Sequence, residues 1–206
     1  MRALVPLRLA MDWMYTLSGF VVGAVVGLTG VGGGSLMTPL LVLLFGIHPA
    51  TAVGTDLLYA AITKAGGTVV HARKGHIDWR VTHLLASGSI PATLLTIWAL
   101  SFLPRQSAAV SQIISVSLGI ALLLTAAAIV FRQRLQSQAL AHADNAAHTR
   151  WRAPITVAVG ALLGLLVTIS SVGAGALGVA VLFYLYPRLP TIRIIGSDVA
   201  HAVPLT

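Results

Sequence analysis

The chain has 206 residues, of which 57% are apolar and 9% are charged, and its mean hydropathy is +0.91. Soluble domains carry about 25% charged residues, so this composition excludes a soluble enzyme, a disordered tail and a fibrous repeat. Cysteine is absent, which excludes disulfides and thiolate chemistry. The net charge is +8, but the basic residues lie mostly in short gaps between apolar runs, as in cytoplasmic loops. We therefore expect no nucleic-acid partner.

Long apolar runs predict an all-α polytopic integral membrane protein, because one crossing needs about 20 apolar residues. The stretch that begins at Tyr15 is too long for a secretory signal, so we interpret it as a retained membrane segment. The runs cover residues 15–45, 51–70, 81–103, 109–131, 154–186 and 191–206.

A polar segment at residues 132–153 separates the two halves of the chain, and we predict that it is a solvated cytoplasmic loop. The predicted organisation is an N-terminal segment at residues 1–14, a first transmembrane repeat at 15–131, the polar linker at 132–153 and the start of an incomplete second transmembrane repeat at 154–206.

The first and fifth runs are too long for a single crossing. At 1.5 Å per residue each would extend roughly 45–50 Å, whereas the hydrocarbon core of a bilayer is about 30 Å thick. Each contains a glycine-rich segment near its middle, at residues 30–34 and 173–175. We predict a broken helix, or one crossing followed by a re-entrant piece, in each run. Close packing of a continuous helix is the alternative.

The two halves repeat the same landmarks in the same order. A glycine-rich segment is followed by a proline and then by Gly54-Thr55-Asp56 in the first half and Gly196-Ser197-Asp198 in the second. Duplicated halves with matching interrupted helices indicate a secondary transporter and its substrate site. Because the second half stops within its second helix, we expect about eight crossings in the natural protein and about six in this chain.

Several motifs carry a family resemblance. The longest is Gly23-x3-Gly27-x2-Gly30-x-Gly32-Gly33-Gly34-x4-Pro39-x6-Gly46-x2-Pro49-x2-Ala52-x-Gly54-Thr55. Shorter ones are His71-x3-Gly75-His76-Ile77-Asp78-Trp79, Gly88-Ser89-Ile90-Pro91 and Gly196-Ser197-Asp198 with His201-Ala202-x-Pro204. From about residue 19 to residue 206 the chain closely resembles the TauE/SafE, or TSUP, membrane transporter family. The resemblance implies an inner-membrane, multi-pass carrier of sulfur-containing anions such as sulfite, sulfoacetate or related sulfonates.

The glycine-rich segments predict an anion site. Unwinding a helix frees backbone N–H groups, and the half-helix that follows directs its positive end at the gap. The predicted substrate contacts in the first half are Thr29, Gly32, Gly33, Gly34, Ser35, Thr55 and Lys64. In the second half they are Ser171, Gly173, Gly175 and Ser197.

Two of the five acidic residues, Asp56 and Asp198, fall at matching positions inside apolar runs. A carboxylate within a membrane helix costs about 2.5–3.5 kcal/mol and is a functional hypothesis by default. We interpret both as proton-relay or coupling residues, with a helix N-terminal cap as the alternative.

Lys64 shares a broad helix face with Asp56 and could recognise a sulfonate or pair with that carboxyl. The alternative is that Lys64 extends its ammonium to the headgroups. His83 and His201 are interpreted as histidines on helix faces.

The sequence predicts neither an enzyme nor a cofactor or metal site, since it contains no nucleophile motif, dinucleotide loop or pair of metal ligands on one helix. Positive-inside bias places the basic segments in the cytoplasm, with parallel repeats favoured over inverted ones.

We predict a transporter of a small sulfur-containing anion, driven by protons or by the membrane potential. Its partners are that anion and the lipid bilayer, and homo-oligomerisation is left open. The alternatives are a non-transporting scaffold or partner subunit, and an anion channel.

Overall fold

The computed structural model describes residues 13–14, 16–25, 34–104, 108–141 and 146–206, with only the backbone of residues 34, 132–133, 135–141 and 146–150. The described helices are α1 (Thr16–Val25), α2 (Gly34–Leu43), α3 (Pro49–Arg73), α4 (Trp79–Ser101), α5 (Ala108–Ala141), α6 (Ala146–Ser170), α7 (Ala176–Leu185) and α8 (Thr191–Ala202), followed by a 3₁₀ turn at Val203–Leu205. These ranges contain no β-strand, so the all-α prediction is confirmed for the described residues.

The turn between α3 and α4 is closed by local hydrogen bonds. Gly75 has a φ of +67°, a conformation that suits glycine, and it ends α3. Asp78 then begins α4, because its carboxylate accepts the backbone N–H groups of Arg80 at 3.1 Å and Val81 at 3.2 Å. The turn joins α3 to α4, and its backbone is available to contact α8, which packs against both helices.

Glycines bring α4 and α6 into direct backbone contact. A Cβ atom at Gly88 of α4 would overlap the Val157 carbonyl group, and one at Gly160 of α6 would overlap the carbonyl group of Leu85. Gly164 faces the backbone of Ser89 in the same way. Small residues that let two helices approach closely are typical of membrane-helix pairs. This contact joins a helix of the first half to a helix of the second.

The exterior of the bundle is far more apolar than that of a soluble protein. Large apolar side chains face outward, with Phe20, Leu123 and Val130 each more than 70% exposed. The interior holds polar residues, including the fully buried Thr38 and Ser89. An apolar exterior over such an interior suits a hydrocarbon solvent.

Three described helical segments are long and apolar enough to cross a membrane. They are Trp79–Ser101, Ala108–Phe131 and Trp151–Ser170. Helix α3 has 25 residues, but Asp56 and Lys64 interrupt its apolar run. Helices α1, α2, α7 and α8 have 10 to 12 residues, which is about half of one crossing. Six crossings in this chain therefore stay a prediction.

The polar segment at residues 132–153 is mostly helical, and the prediction of a loop there was wrong. Helix α5 continues to Ala141 and α6 begins at Ala146. The segment is rich in arginine, glutamine, leucine and alanine, which are strong helix formers. Helices α5 and α6 therefore extend beyond the apolar runs that predicted them. The limits of the two repeats stay a prediction.

The chain is not helical between α6 and α7. Ser171, Gly173 and Gly175 have φ values of +60°, +131° and +118°, which lie in the region that side chains disfavour. Helix α7 then has only ten residues, or about 15 Å. Of the corresponding first-half segment, residues 30–33 lie outside the described residues, and α2 begins at Gly34.

Gly160→Ala should destabilise the protein by about 1–3 kcal/mol, because the added methyl group would overlap the Leu85 backbone. Gly119→Ala is the matched control, since a Cβ atom at Gly119 of α5 meets nothing within 4 Å. This change should be neutral or stabilise the helix by up to about 1 kcal/mol. Thermal unfolding of the purified variants in detergent measures the difference, and equal melting temperatures would contradict the backbone contact.

Candidate functional site

Asp56 lies in the interior, with only 1% of its surface exposed. The Thr38 hydroxyl of α2 donates a hydrogen bond of 2.7 Å to its Oδ2 atom. The Ser171 hydroxyl, from the non-helical segment, lies beside the same carboxyl without reaching hydrogen-bonding geometry. Helix α3 begins at Pro49, and His48 is its N-cap. Asp56 therefore lies two turns inside α3, and its interpretation as a cap of its own helix was wrong.

Asp198 is also 1% exposed and lies well inside α8. Its carboxyl accepts a hydrogen bond from the backbone N–H of Gly175, at the start of α7. Gly178 of α7 permits this approach, because a Cβ atom there would overlap the Asp198 Oδ1 atom. Asp198 thus contacts the N-terminus of a neighbouring helix, where a negative charge is favourable.

Lys64 supplies a positive charge that acts on both carboxyls. Its side chain is partly buried in α3, and its ammonium group lies within electrostatic range of Asp56, Asp198 and His201. These four residues are called the charged cluster below. The tertiary structure brings together Asp56 and Lys64 from the first half with Asp198 and His201 from the second.

The sequence analysis did not include His201 in the site. Its imidazole is fully buried, and the Nε2 atom lies 2.8 Å from the Ser89 hydroxyl of α4. Its Nδ1 atom has no hydrogen-bond partner among the described residues. The sequence did contain a signal for His201. It follows Asp198 by three positions, so the two residues share one face of a helix.

A small cavity lies between the start of α2, helix α5 and the α6–α7 segment. Ser35 of α2 and Thr125 of α5 line it together with Gly173, Ala174 and Ala176. Its volume is about 10 Å³, which is close to the minimum for one water molecule. The Thr125 hydroxyl is buried without a partner among the described residues. Thr125 is therefore a second polar residue at the site that the sequence analysis missed.

Several buried polar atoms of this region lack hydrogen-bond partners within the described part of the chain. They are Asp56 Oδ1, Asp198 Oδ1, Ser171 Oγ, His201 Nδ1 and Thr125 Oγ1. Each unsatisfied buried group costs about 1–3 kcal/mol. Such groups are rare in folded proteins and concentrate where function requires them. Their concentration at one place marks the charged cluster and the α6–α7 segment as the candidate site.

Not all predicted contacts belong to this region. Thr55 is exposed, and its hydroxyl donates to the Thr51 carbonyl oxygen of its own helix at 2.9 Å. Ser197 is buried, but it donates to the Arg193 carbonyl oxygen at 2.7 Å and accepts the Asp78 N–H at 2.8 Å. Ser197 thus attaches α8 to the α3–α4 turn. Thr29, Gly32 and Gly33 lie outside the described residues, and Gly34 is described only as the first residue of α2.

An apolar cavity of about 450 Å³ lies between α3, α4, α5 and α6. None of the described residues that line it is charged, and most are aliphatic. It is therefore a poor site for an anion. Within the described ranges, no three histidine, aspartate or glutamate residues are grouped so that they could hold a metal ion.

The fold and the site define a helical membrane protein with ionisable residues buried in its interior. Comparison with known proteins gives the family. The model of the family described as sulfite exporter TauE/SafE matches residues 15–206, and the chain belongs to this family.

Two relatives match most of the chain. The probable membrane transporter protein YjnA of Bacillus subtilis is 39% identical over 186 residues, which are 90% of this chain and 72% of that protein. A probable membrane transporter protein of Xylella fastidiosa is 32% identical over 184 residues, or 88% of this chain and 66% of that protein. No solved structure gives a significant match.

Thr38→Val should destabilise the protein by about 1–3 kcal/mol, because it leaves the buried Asp56 carboxyl without its hydroxyl donor. Thr55→Val is the matched control, at the residue directly before Asp56 in α3. Its lost hydrogen bond is exposed and lies within one helix, so the change should stay within about 0.5 kcal/mol. Chemical or thermal unfolding in detergent tests both, and a cost at Thr55 as large as that at Thr38 would argue against the buried contact.

Proposed function

We propose that this protein is a secondary transporter that carries a small sulfur-containing anion, such as sulfite, sulfoacetate or another sulfonate, across the bacterial inner membrane. The family's description and the names of the relatives support this class of function. The observation that carries the proposal is the charged cluster inside a bundle with an apolar exterior. Ionisable residues are costly in that position and mark substrate or ion pathways.

The anion is bound between Lys64 and the polar groups of the α6–α7 segment. Lys64 supplies the positive charge, while Ser171, Thr125 and Ser35 supply hydroxyl groups close to the cavity. Gly173 and Gly175 supply backbone N–H groups at the start of α7, where a helix terminus favours an anion. Thr29, Gly32 and Gly33 belong to the same proposal, as the first-half counterparts of this segment.

The charges of the cluster support a proposal of proton coupling. Two carboxylates and one ammonium group carry a net charge of −1 when all three are ionised, so the cluster repels an anion. Asp198 also occupies the Gly175 N–H that an anion would use. Protonation of Asp198 or Asp56 would remove this repulsion, so we propose that a proton enters with the anion.

Binding requires α7 to move. The cavity of about 10 Å³ at its start is too small for a sulfonate, since one water molecule already needs that volume. The positive φ angles at Ser171, Gly173 and Gly175 give the chain a place at which to bend, as hinge residues of transporters do. We propose that α7 opens away from α2 and α5 and exposes the cluster.

Flux of radiolabelled sulfite or sulfoacetate into proteoliposomes tests this function. Lys64→Gln should lower kcat/KM by about tenfold to a hundredfold, because a charge-assisted contact is worth about 1.5–3 kcal/mol. Lys74→Gln is the matched control, since it changes an exposed lysine at the end of the same helix and should leave the flux unchanged. The absence of flux for every anion would favour a scaffold, and a flux without saturation or trans-stimulation would favour a channel.

Two substitutions at Asp198 separate its structural role from its coupling role. Asp198→Asn keeps an acceptor for the Gly175 N–H, so the melting temperature should stay close to that of the wild type. It removes the titratable group, so a pH gradient should no longer drive uptake. Asp198→Ala should lose both the stability and the coupling. Proton-driven uptake that persists in Asp198→Asn would exclude Asp198 as the coupling residue.

A further inference from the structure

A separate cavity, of about 310 Å³, lies at the end of the bundle where α4 and α6 begin. None of the charged cluster lines it. Three of its lining residues are arginines: Arg80 of α4, Arg152 of α6 and Arg188 of the α7–α8 connection. Its other lining residues are Asp78, Tyr186 and the apolar Val81, Leu84, Ala153 and Leu189. The lining of the cavity thus has a basic portion and an apolar portion.

The charge of this cavity favours a phosphate group. Among the described residues that line it are three arginines and one acidic residue, Asp78. The Asp78 Oδ1 atom accepts the Arg80 and Val81 backbone N–H groups. A cavity with this composition favours an anionic ligand over a neutral or cationic one. Guanidinium groups bind phosphate oxygens in a bidentate manner, which an ammonium group cannot do.

The tryptophans place the cavity at the level of the lipid headgroups. Trp79 and Trp151 are 52% and 59% exposed, and each is the first residue of an apolar segment long enough to cross a membrane. Exposed tryptophans at helix ends are typical of the membrane–water interface. Arg80 and Arg152 directly follow these tryptophans, so the arginines lie at the same depth.

We propose that this cavity binds the phosphate group of an anionic phospholipid such as phosphatidylglycerol. The arginines hold the phosphodiester, and Val81, Leu84 and Leu189 contact the adjoining apolar part of the lipid. Basic pockets between membrane helices on the cytoplasmic side bind anionic headgroups in this way. The proposal is independent of the transported substrate.

Native mass spectrometry of the purified, delipidated protein tests the site with three probes: phosphatidylglycerol, phosphatidylcholine and inorganic phosphate. The wild type should retain phosphatidylglycerol in preference to phosphatidylcholine. Removing one arginine should weaken this binding about fivefold, and Arg80→Gln with Arg188→Gln about 25-fold. Arg73→Gln is the matched control, because it changes an exposed arginine of the α3 end that does not line the cavity.

Three results would overturn the proposal. An equal loss of phosphatidylglycerol in the Arg73 variant would show attraction by general surface charge. Displacement of the lipid by millimolar inorganic phosphate would show a site for the free ion. Unchanged binding in the double variant would show that the lipid is held elsewhere. Arg80→Gln alone, at an exposed side chain, gives the same comparison if the double variant does not fold.

Discussion

The direct backbone contact between α4 and α6 is the interaction on which the site depends. Gly88, Gly160 and Gly164 remove the side chains that would hold the two helices apart. Ser89 follows Gly88 in α4 and bonds His201, while the end of α6 leads into the segment that carries Ser171. The contact therefore fixes both sides of the charged cluster relative to each other, and it does so with backbone atoms that cannot adopt other rotamers.

A second constraint comes from the charges themselves. Two carboxyl groups inside an apolar bundle need hydrogen bonds or opposite charges, because the surrounding hydrocarbon does not solvate a carboxylate. Asp56 obtains the Thr38 hydroxyl and Asp198 obtains the Gly175 amide, while Lys64 acts on both. Each carboxyl nevertheless keeps one oxygen without a partner within the described residues. A site of this kind is held in place and still has capacity for a proton or a ligand.

The matching tripeptides of the two halves make different contacts. Ser197 bonds the backbone of the α3–α4 turn, whereas Thr55 is exposed and bonds only its own helix. The two aspartates also have different partners. Asp56 accepts a hydrogen bond from a hydroxyl, and Asp198 accepts one from the backbone at the N-terminus of α7. Similar sequence thus placed both carboxyls in the interior, but their partners come from helices that differ between the halves. A repeat in the sequence therefore locates candidate residues without assigning each its role.

The sequence by itself determined the all-α class and the membrane environment, and it singled out Asp56, Lys64 and Asp198 as candidate site residues. Apolar composition and rare charges are local properties that need no three-dimensional information. It misjudged residues 132–153, where polarity suggested a loop but helix propensity prevailed. Only the tertiary structure decided that His201 and Thr125 lie at the candidate site, that Ser197 bonds the α3–α4 turn and that Asp198 faces α7. These assignments depend on which helices are neighbours, and that choice arises from packing between residues far apart in the chain.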